Sequence, residues 1–325
     1  MDPTEPLPEE LGSLLERFRA GDKAALARAI SVIESESPGF QGFLHRVLAV
    51  GPHARRVGVT GPPGGGKSSL IAVLANLCRA RSEEVGVVAV DPTSSVSGGA
   101  LLGDRIRMND LATDDGIFIR SMATRGSLGG LAATSKEVID LMDSFGFARV
   151  LIETVGVGQT ELKVTGAADT VVVVLVPESG DGIQAMKAGL MEIADIFVVN
   201  KADRPAADRV LNDLQTALHL RAEKAATHWT IPVLKTVAQT GEGVPELLGA
   251  VDRHREYLDD SGELRARQRG RAAVLVREVT ERSLRGVLWR SETTMGLLDA
   301  GLDHIQKGTA TPYSVSASIL KALLA

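Results

Sequence analysis

The run Gly61-Pro62-Pro63-Gly64-Gly65-Gly66-Lys67-Ser68 has the form G-x-x-x-x-G-K-S, and the chemistry open to it is the holding of a polyphosphate. Phosphate oxygens need several donors packed closely, which side chains obstruct. Glycines let backbone N–H groups, continued by Ser69, surround a β-phosphate at the positive end of a helix. Lys67 adds a point charge for the β- and γ-phosphates, and the Ser68 hydroxyl is offered to Mg²⁺. Asn200-Lys201-Ala202-Asp203 supplies the other end of a nucleotide. Guanine presents N1–H and N2–H₂ side by side to one carboxylate, whereas adenine has an unprotonated N1 and no 2-amino group, so Asp203 would face adenine unpaired. A site built around such a polar pair rejects the analogue lacking it by roughly 10⁴-fold or more. The expected ligand is GTP. Val237-Ala238-Gln239 stands where a backbone N–H reaches guanine O6, or else forms an ordinary strand-end loop; Gly241-Glu242-Gly243 supports a tight turn there.

Leu151-Ile152-Glu153-Thr154-Val155-Gly156 has the strand–acid–x–x–Gly form of a Walker B and switch region. Glu153 either contacts Mg²⁺ through water or polarises the attacking water. Val157, directly after Gly156, cannot orient water as a glutamine does, so slow intrinsic hydrolysis is expected, with Gln159 the nearby alternative for that task. Asp91 and Asp104 are placed to reach Mg²⁺ or its waters, since this cation takes few carboxylates and keeps several waters; helix capping or surface pairing is the other use for each. Arg105 either neutralises phosphate charge or makes a surface pair.

These groups need a scaffold that brings loop ends together. From Val57 onward, short β-branched runs alternate with helical stretches: Val57–Thr60, Val85–Val90, Ile117–Ile119, Val150–Ile152, Thr170–Val176, Ile196–Val199 and Ile231–Leu234. Continuous apolar strands separated by helix-length segments fit a mostly parallel sheet covered on both faces. The phosphate run lies between the first strand and a helical pattern (Leu70, Ile71, Leu74, Leu77), and the Asn200 run follows a strand, at the carboxyl end where open α/β folds bind ligands. The fold class is α/β, a P-loop NTPase domain over 55–250. Helical periodicity through Leu11, Leu14, Leu15, Phe18 and Ala25, Leu26, Ala29, Ile30 predicts two or three short helices in an N-terminal extension, 1–54. Residues 251–325 read as a helical C-terminal arm: Asp252–Arg290 is polar and Arg-rich, with a stripe of Ala272, Val276, Val279 and Val287 narrow enough to suit a partner helix.

Composition sets the outer limits. With 325 residues and 44% hydrophobic side chains, the chain can bury a large core. A formal net charge of −5, from 36 Lys plus Arg against 41 Asp plus Glu, repels polyanions, so nucleic acid is not expected as a partner. Cys78 alone permits no intrachain disulfide, and the six histidines show no ligand spacing, which weighs against a metal-inserting function. Arg265, Arg267, Arg269 and Arg271 read as a solvated or partner-facing surface, and Trp289 and Tyr313 as packing residues of the arm. The first residues lack the basic start and apolar core of a signal peptide, and no run approaches ~18 apolar residues; a cytoplasmic protein with no membrane partner is expected.

The residues resemble the MeaB/ArgK/MMAA family of P-loop GTPases. The resemblance rests on Gly58-Val59-Thr60-Gly61-Pro62-Pro63-Gly64, on Asp91-Pro92-Thr93-Ser94 with Ser97 through Met108, on Glu153-Thr154-Val155-Gly156-Val157-Gly158-Gln159, and on Asn200-Lys201-Ala202-Asp203, with Thr311-Pro312-Tyr313 similar to the family tail. It implies a GTP-dependent chaperone of an adenosylcobalamin-dependent acyl-CoA mutase of the methylmalonyl-CoA type, gating cofactor loading, protecting the mutase and forming a homodimer through the arm. It also implies roles: Lys67 and Ser68 toward phosphate and Mg²⁺, Asp91, Asp104 and Glu153 as the metal and hydrolysis cluster, Asn200, Lys201 and Asp203 toward guanine, and Pro177–Lys187 as a third loop sensing the mutase; Lys67, Asp104 and Glu153, with Gln159 from the reading above, are the expected catalytic residues. Gly65-Gly66-Lys67-Ser68-Ser69 replaces the family's usual alanine and threonine, and Glu178 and Gly182 differ from the methylmalonyl-type loop. The rival function is a P-loop kinase or ATPase acting on a small molecule or transport protein, the family's older label.

Overall fold

The inner β-branched runs are strands buried on both faces. In β5 (Thr170–Leu175), Val171, Val173 and Leu175 join one hydrophobic cluster while Val172 and Val174 join the other, the period-2 alternation of a sheet covered twice. The computed structural model describes residues 6–91, 111–123, 133–154, 162–177, 189–222 and 229–324. The chain divides into two compact units, Met1–Arg271 and Ala272–Ala325.

The first unit holds, in chain order, α1 (Glu9–Arg19), α2 (Lys23–Glu34), α3 (Phe40–Leu48), β1 (Arg55–Thr60), α4 (Lys67–Ala80), β2 (Val85–Asp91), β3 (Ile117–Ala123), α5 (Ala133–Phe145), β4 (Arg149–Thr154), β5, α6 (Leu190–Ile193), β6 (Ile196–Asn200), α7 (Ala207–Ala222), β7 (Val233–Thr236), α8 (Val244–Ser261) and the start of α9 (Glu263–Arg290). The described residues form a seven-stranded parallel sheet in the order β3-β2-β4-β1-β5-β6-β7. β1 is central, flanked by β4 and β5, so the crevice at its carboxyl end is the switch point where such sheets bind ligands.

Two helical layers complete the unit. On one face, Leu70, Ile71 and Leu74 of α4 and Val244, Leu247 and Leu248 of α8 pack on Val57, Val59 and Val198. Cys78 is buried there, and burial pushes its thiol up to about 11, so it stays protonated and inert. On the other face α5 lies against the sheet, and α1–α3 pack outside it, with Phe18 edge-on to Phe43 and Phe145 at centroid distances of 6.2 and 5.1 Å. The expected seventh strand, Ile231–Leu234, begins instead at Val233: Pro232 has no N–H for the ladder, and only its carbonyl is used, accepting from Phe197 N. The long helix expected over Asp252–Arg290 is broken at Gly262, which caps α8 with φ +75°.

At the amino ends of β5 and β6 two buried aspartates do double duty. Asp169 accepts from Arg56 N (3.1 Å) and Asp195 from Val171 N (2.8 Å), fixing strand starts. Arg267 forks onto Asp195 (both bonds 2.9 Å) and reaches Asp169 O (2.7 Å), while Arg271 bonds Ala168 O (2.8 Å) and Asp169 Oδ1 (2.5 Å). The expectation of a solvated arginine surface is therefore corrected for Arg267 and Arg271. Four residues apart on a helix, they share one face and meet buried carboxylates; Arg265 and Arg269 point to solvent.

Burial is the largest influence on Asp195 and pushes its carboxyl upward, but the bonds from His254 and Arg267 outweigh it and hold the group below its ordinary 3.8. A depressed carboxylate stabilises the fold above its unfolded pKa, and that contribution is lost as pH falls below about 3.8 toward the folded value. Asp195→Asn is thus expected to be destabilised at pH 7 by about 3 kcal/mol, since it leaves Arg267 without its charge partner. Melting curves should show the gap between variant and wild type closing as the pH is lowered through the carboxylate range.

In the second unit, α10 (Glu292–Gln306) is capped by Ser291, whose hydroxyl accepts from Thr294 N, and packs on α11 (Pro312–Leu324) at Gly301, where a Cβ would come within 2.4 Å of Val315. Trp289 and Tyr313, expected as packing residues, are 47% and 87% exposed. No helix among the described residues is long and apolar enough to cross a membrane.

Candidate functional site

The phosphate loop curls between β1 and α4 in a shape that demands its glycines. Gly61 has φ +134°, and a Cβ there would lie 2.0 Å from Val174 O on β5, so the chain leaves β1 flush against its neighbour. Gly65 N closes the turn on Pro62 O at 3.2 Å, and Pro63 and Gly64 form an exposed tip. Pro62 and Pro63 have no N–H and the Gly65 amide is used within the turn, so the amides open to phosphate are those of Gly64 and of Gly66 to Ser69. Those of Lys67, Ser68 and Ser69 open α4, where the helix dipole adds positive potential. The Lys67 side chain folds back inside the loop, its buried ammonium donating to Gly61 O (2.9 Å) and Pro62 O (3.0 Å).

Ser68 and Glu153 meet beside it. Glu153 lies on β4 opposite Val59 of β1, and the Ser68 hydroxyl donates to its Oε1 at 2.7 Å, both side chains being buried. A hydroxyl and a carboxylate converging at a helix start are hard oxygen donors, the ligand type Mg²⁺ prefers. Among the described residues no cluster of three or more acidic, His or Cys side chains adds to them. Asp104, Gln159, Arg105, the side chain of Asp91 and residues 178–187 of the expected third loop lie outside the described residues. The backbone of Asp91 ends β2, in register with Ala123.

Asn200 joins the two halves of the site. The last residue of β6 and almost wholly buried, it donates from Nδ2 to Gly65 O at 2.8 Å and accepts at Oδ1 from Thr236 Oγ1 and Ala238 N, both 3.1 Å. One side chain thereby ties the phosphate loop to β7 and to the loop Val237–Gln239. Lys201 follows in the left-handed region at φ +56°, Ala202 N is held by Thr236 O, and Asp203 stands exposed on the turn beyond. In the next loop Val237 N is used by Glu242 O, and Gln239 is exposed. The structure therefore brings Lys67, Ser68, Glu153 and Asn200 to one end of the sheet.

Gly66 is where this arrangement has least tolerance. Its φ is +82°, and a Cβ would lie 2.4 Å from Asn200 Nδ2. Gly66→Ala is expected to weaken nucleotide binding at least about tenfold, from left-handed strain of about 1–3 kcal/mol together with the displaced Asn200. Titration with a fluorescent guanine nucleotide measures this directly.

Residues 26–293 match the family described as methylmalonyl Co-A mutase-associated GTPase MeaB. The chain belongs to this family. Its members and neighbours agree across nearly the whole length. A Pyrococcus abyssi protein that carries the name GTPase is 42% identical over 315 residues, covering 97% of each chain. GTPase ArgK of Escherichia coli is 35% identical over 289 residues, covering 87% of each. The crystal structure of a protein named LAO/AO transport system kinase is similar at a TM-score of 0.71 and 27% identity, covering 99% of this chain and 100% of that one. As a MeaB-family protein the chain is a GTPase, and GTP is its nucleotide.

Inspection of local motifs misses the aspartates that anchor β5 and β6, and the two arginines that grip them. A signal was present: Ala168-Asp169 and Ala194-Asp195 each stand directly before a β-branched run, and Arg267 and Arg271 have the helical spacing that separates them from Arg265 and Arg269.

Proposed function

We propose that the chain is a cytoplasmic, GTP-hydrolysing chaperone of an adenosylcobalamin-dependent acyl-CoA mutase, gating cofactor loading and protecting the mutase, and that it works as a homodimer joined through the helical arm of residues 251–325. The family is methylmalonyl-CoA mutase-associated by description, which supports the partner class. The observation that carries the reading of the nucleotide site is the Asn200 side chain, which ties the phosphate loop to the base-side loops.

In this reading the amides of the phosphate loop and Lys67 hold the β- and γ-phosphates, Asp203 and Lys201 hold guanine, and Val237–Gln239 lies beside O6. Ser68 holds Mg²⁺, with Glu153, Asp91 and Asp104 on its side of the site. Bound there, Mg²⁺ supplies charge neutralisation for the phosphates. Glu153, which accepts from Ser68, polarises the attacking water in this reading, with Gln159 assisting. Val157 offers the water no partner, so isolated hydrolysis is slow and the mutase sets the useful rate. Apolar side chains exposed on the arm, Val276 and Val287 at 65% and 61%, support a second copy as their cover.

Incubation with γ-labelled GTP tests this. Free phosphate released slowly, and faster with an adenosylcobalamin-dependent mutase, is expected. The second reading follows the kinase name of the similar solved structure; phosphate transferred to an acceptor in place of release would favour it.

A further inference from the structure

A cavity of about 520 Å³ opens at the amino ends of β6 and β7. The strands are parallel, so this is the end of the sheet opposite the one that carries the phosphate loop. Its walls come from α6, the last two turns of α7, the stretch Trp229–Val233 and the junction of α8 with α9, all within the first unit. Lys67, Ser68, Glu153 and Asn200 are not among its lining residues. Sites for small molecules enclose roughly 300–1,000 Å³ behind mostly apolar walls with a few placed polar groups.

The walls fit that description. Trp229 and Tyr257 line the cavity with ring centroids 5.4 Å apart and planes inclined by 36°. Each ring is pinned at its polar end: the indole N–H donates to Asp195 O at 2.8 Å, and the Tyr257 hydroxyl donates to Glu263 Oε1 at 2.5 Å. The buried His254 ring packs on Trp229 at 4.7 Å. Aromatic walls already held in place give up little freedom when a ligand stacks on them. Met191, Ala194, Leu218 and Ile231 supply apolar surface around them.

The charges on the lining are partly spent. Asp195 and Arg267 neutralise each other, and Glu263 is engaged by Tyr257. Arg221 gives one N–H to Met191 O and has no carboxylate partner among the described residues; a guanidinium carries five donors, so most of its own stay open. Glu192 follows Met191 directly, and among the described residues its carboxylate has no partner. An open donor and an open acceptor therefore stand close together beside the aromatic wall.

We propose that this cavity is a second binding site, for a small molecule with a planar aromatic body and a neutral head group that both accepts and donates, as a carboxamide does. The body lies against Trp229 and Tyr257, the acceptor faces Arg221 and the donor faces Glu192. An anionic head group would meet Glu192 and a cationic one Arg221, so like charge selects against both. The site stands independently of the GTPase reading.

Saturation-transfer NMR of the full chain, with GDP and Mg²⁺ in excess to occupy the nucleotide site, tests this with naphthylacetamide as the probe and naphthylacetate and naphthylmethylamine as its charged counterparts. The amide is expected to bind at least about threefold more tightly than either counterpart. Arg221→Gln should weaken it about tenfold, the loss of one hydrogen bond to a charged donor. Ile231→Trp fills the cavity and should abolish binding, while Arg209→Gln, highly exposed on the same helix as Arg221, should match wild type. Absence of binding, a charged counterpart bound more tightly than the amide, or binding that Arg221→Gln leaves unchanged overturns the proposal. So does full binding to a folded Ile231→Trp variant; should that variant not fold, Arg221→Gln against Arg209→Gln decides.

Discussion

Lys67→Ala is expected to slow single-turnover GTP hydrolysis by about a thousandfold while leaving the sheet and its helices intact. The ammonium lies buried inside the loop, donating to Gly61 O and Pro62 O, so it is already in place before phosphate arrives. A preorganised donor aimed at developing charge in a water-poor site contributes on the order of 10²–10³ in rate. Its removal also leaves two loop carbonyls short of a donor, which loosens the loop and adds to the loss. Quenched-flow hydrolysis together with a melting curve checks both parts. A rate within about tenfold of wild type would contradict the assigned role.

Asp203→Asn is expected to exchange one base for another. A carboxylate accepts from both N1–H and N2–H₂ of guanine; a carboxamide can accept from only one of them and turns its NH₂ toward the other. Xanthine carries a carbonyl where guanine carries the amino group, so the same NH₂ finds an acceptor there. GTP affinity should fall by roughly 10³–10⁴-fold, and xanthosine triphosphate should bind the variant more tightly than GTP does. Competition titrations with the two triphosphates measure the exchange. Asp203 stands exposed on its turn, so the fold itself should be unaffected, and melting temperatures should agree within a degree or two.

The parts of this molecule that read directly from the sequence are those whose partners are close along the chain. The phosphate loop is contiguous, its strand and helix flank it, and the inner β-branched runs are strands because burial on both faces leaves only one kind of residue suitable. What stayed hidden depends on partners far apart in sequence. Asn200 reaches Gly65 across 135 positions, and Arg267 reaches Asp195 across 72. No local period encodes such pairs. Spacing by two along the arginine run suggests nothing about a helix face, whereas spacing by four places Arg267 and Arg271 together on the side that meets Asp195 and Asp169. Pro232 is the reverse case, a local rule: its missing N–H shortens β7.

Base selection separates this account from any other use of the same architecture, and isothermal calorimetry of the full chain with Mg²⁺ measures it most directly. Non-hydrolysable GTP and ATP analogues are titrated in turn under identical conditions. The account predicts one guanine nucleotide bound per chain, at least about a hundredfold more tightly than the adenine nucleotide, with the preference gone in Asp203→Asn. Equal affinities for the two, or a preference that survives the loss of the Asp203 carboxylate, would contradict it.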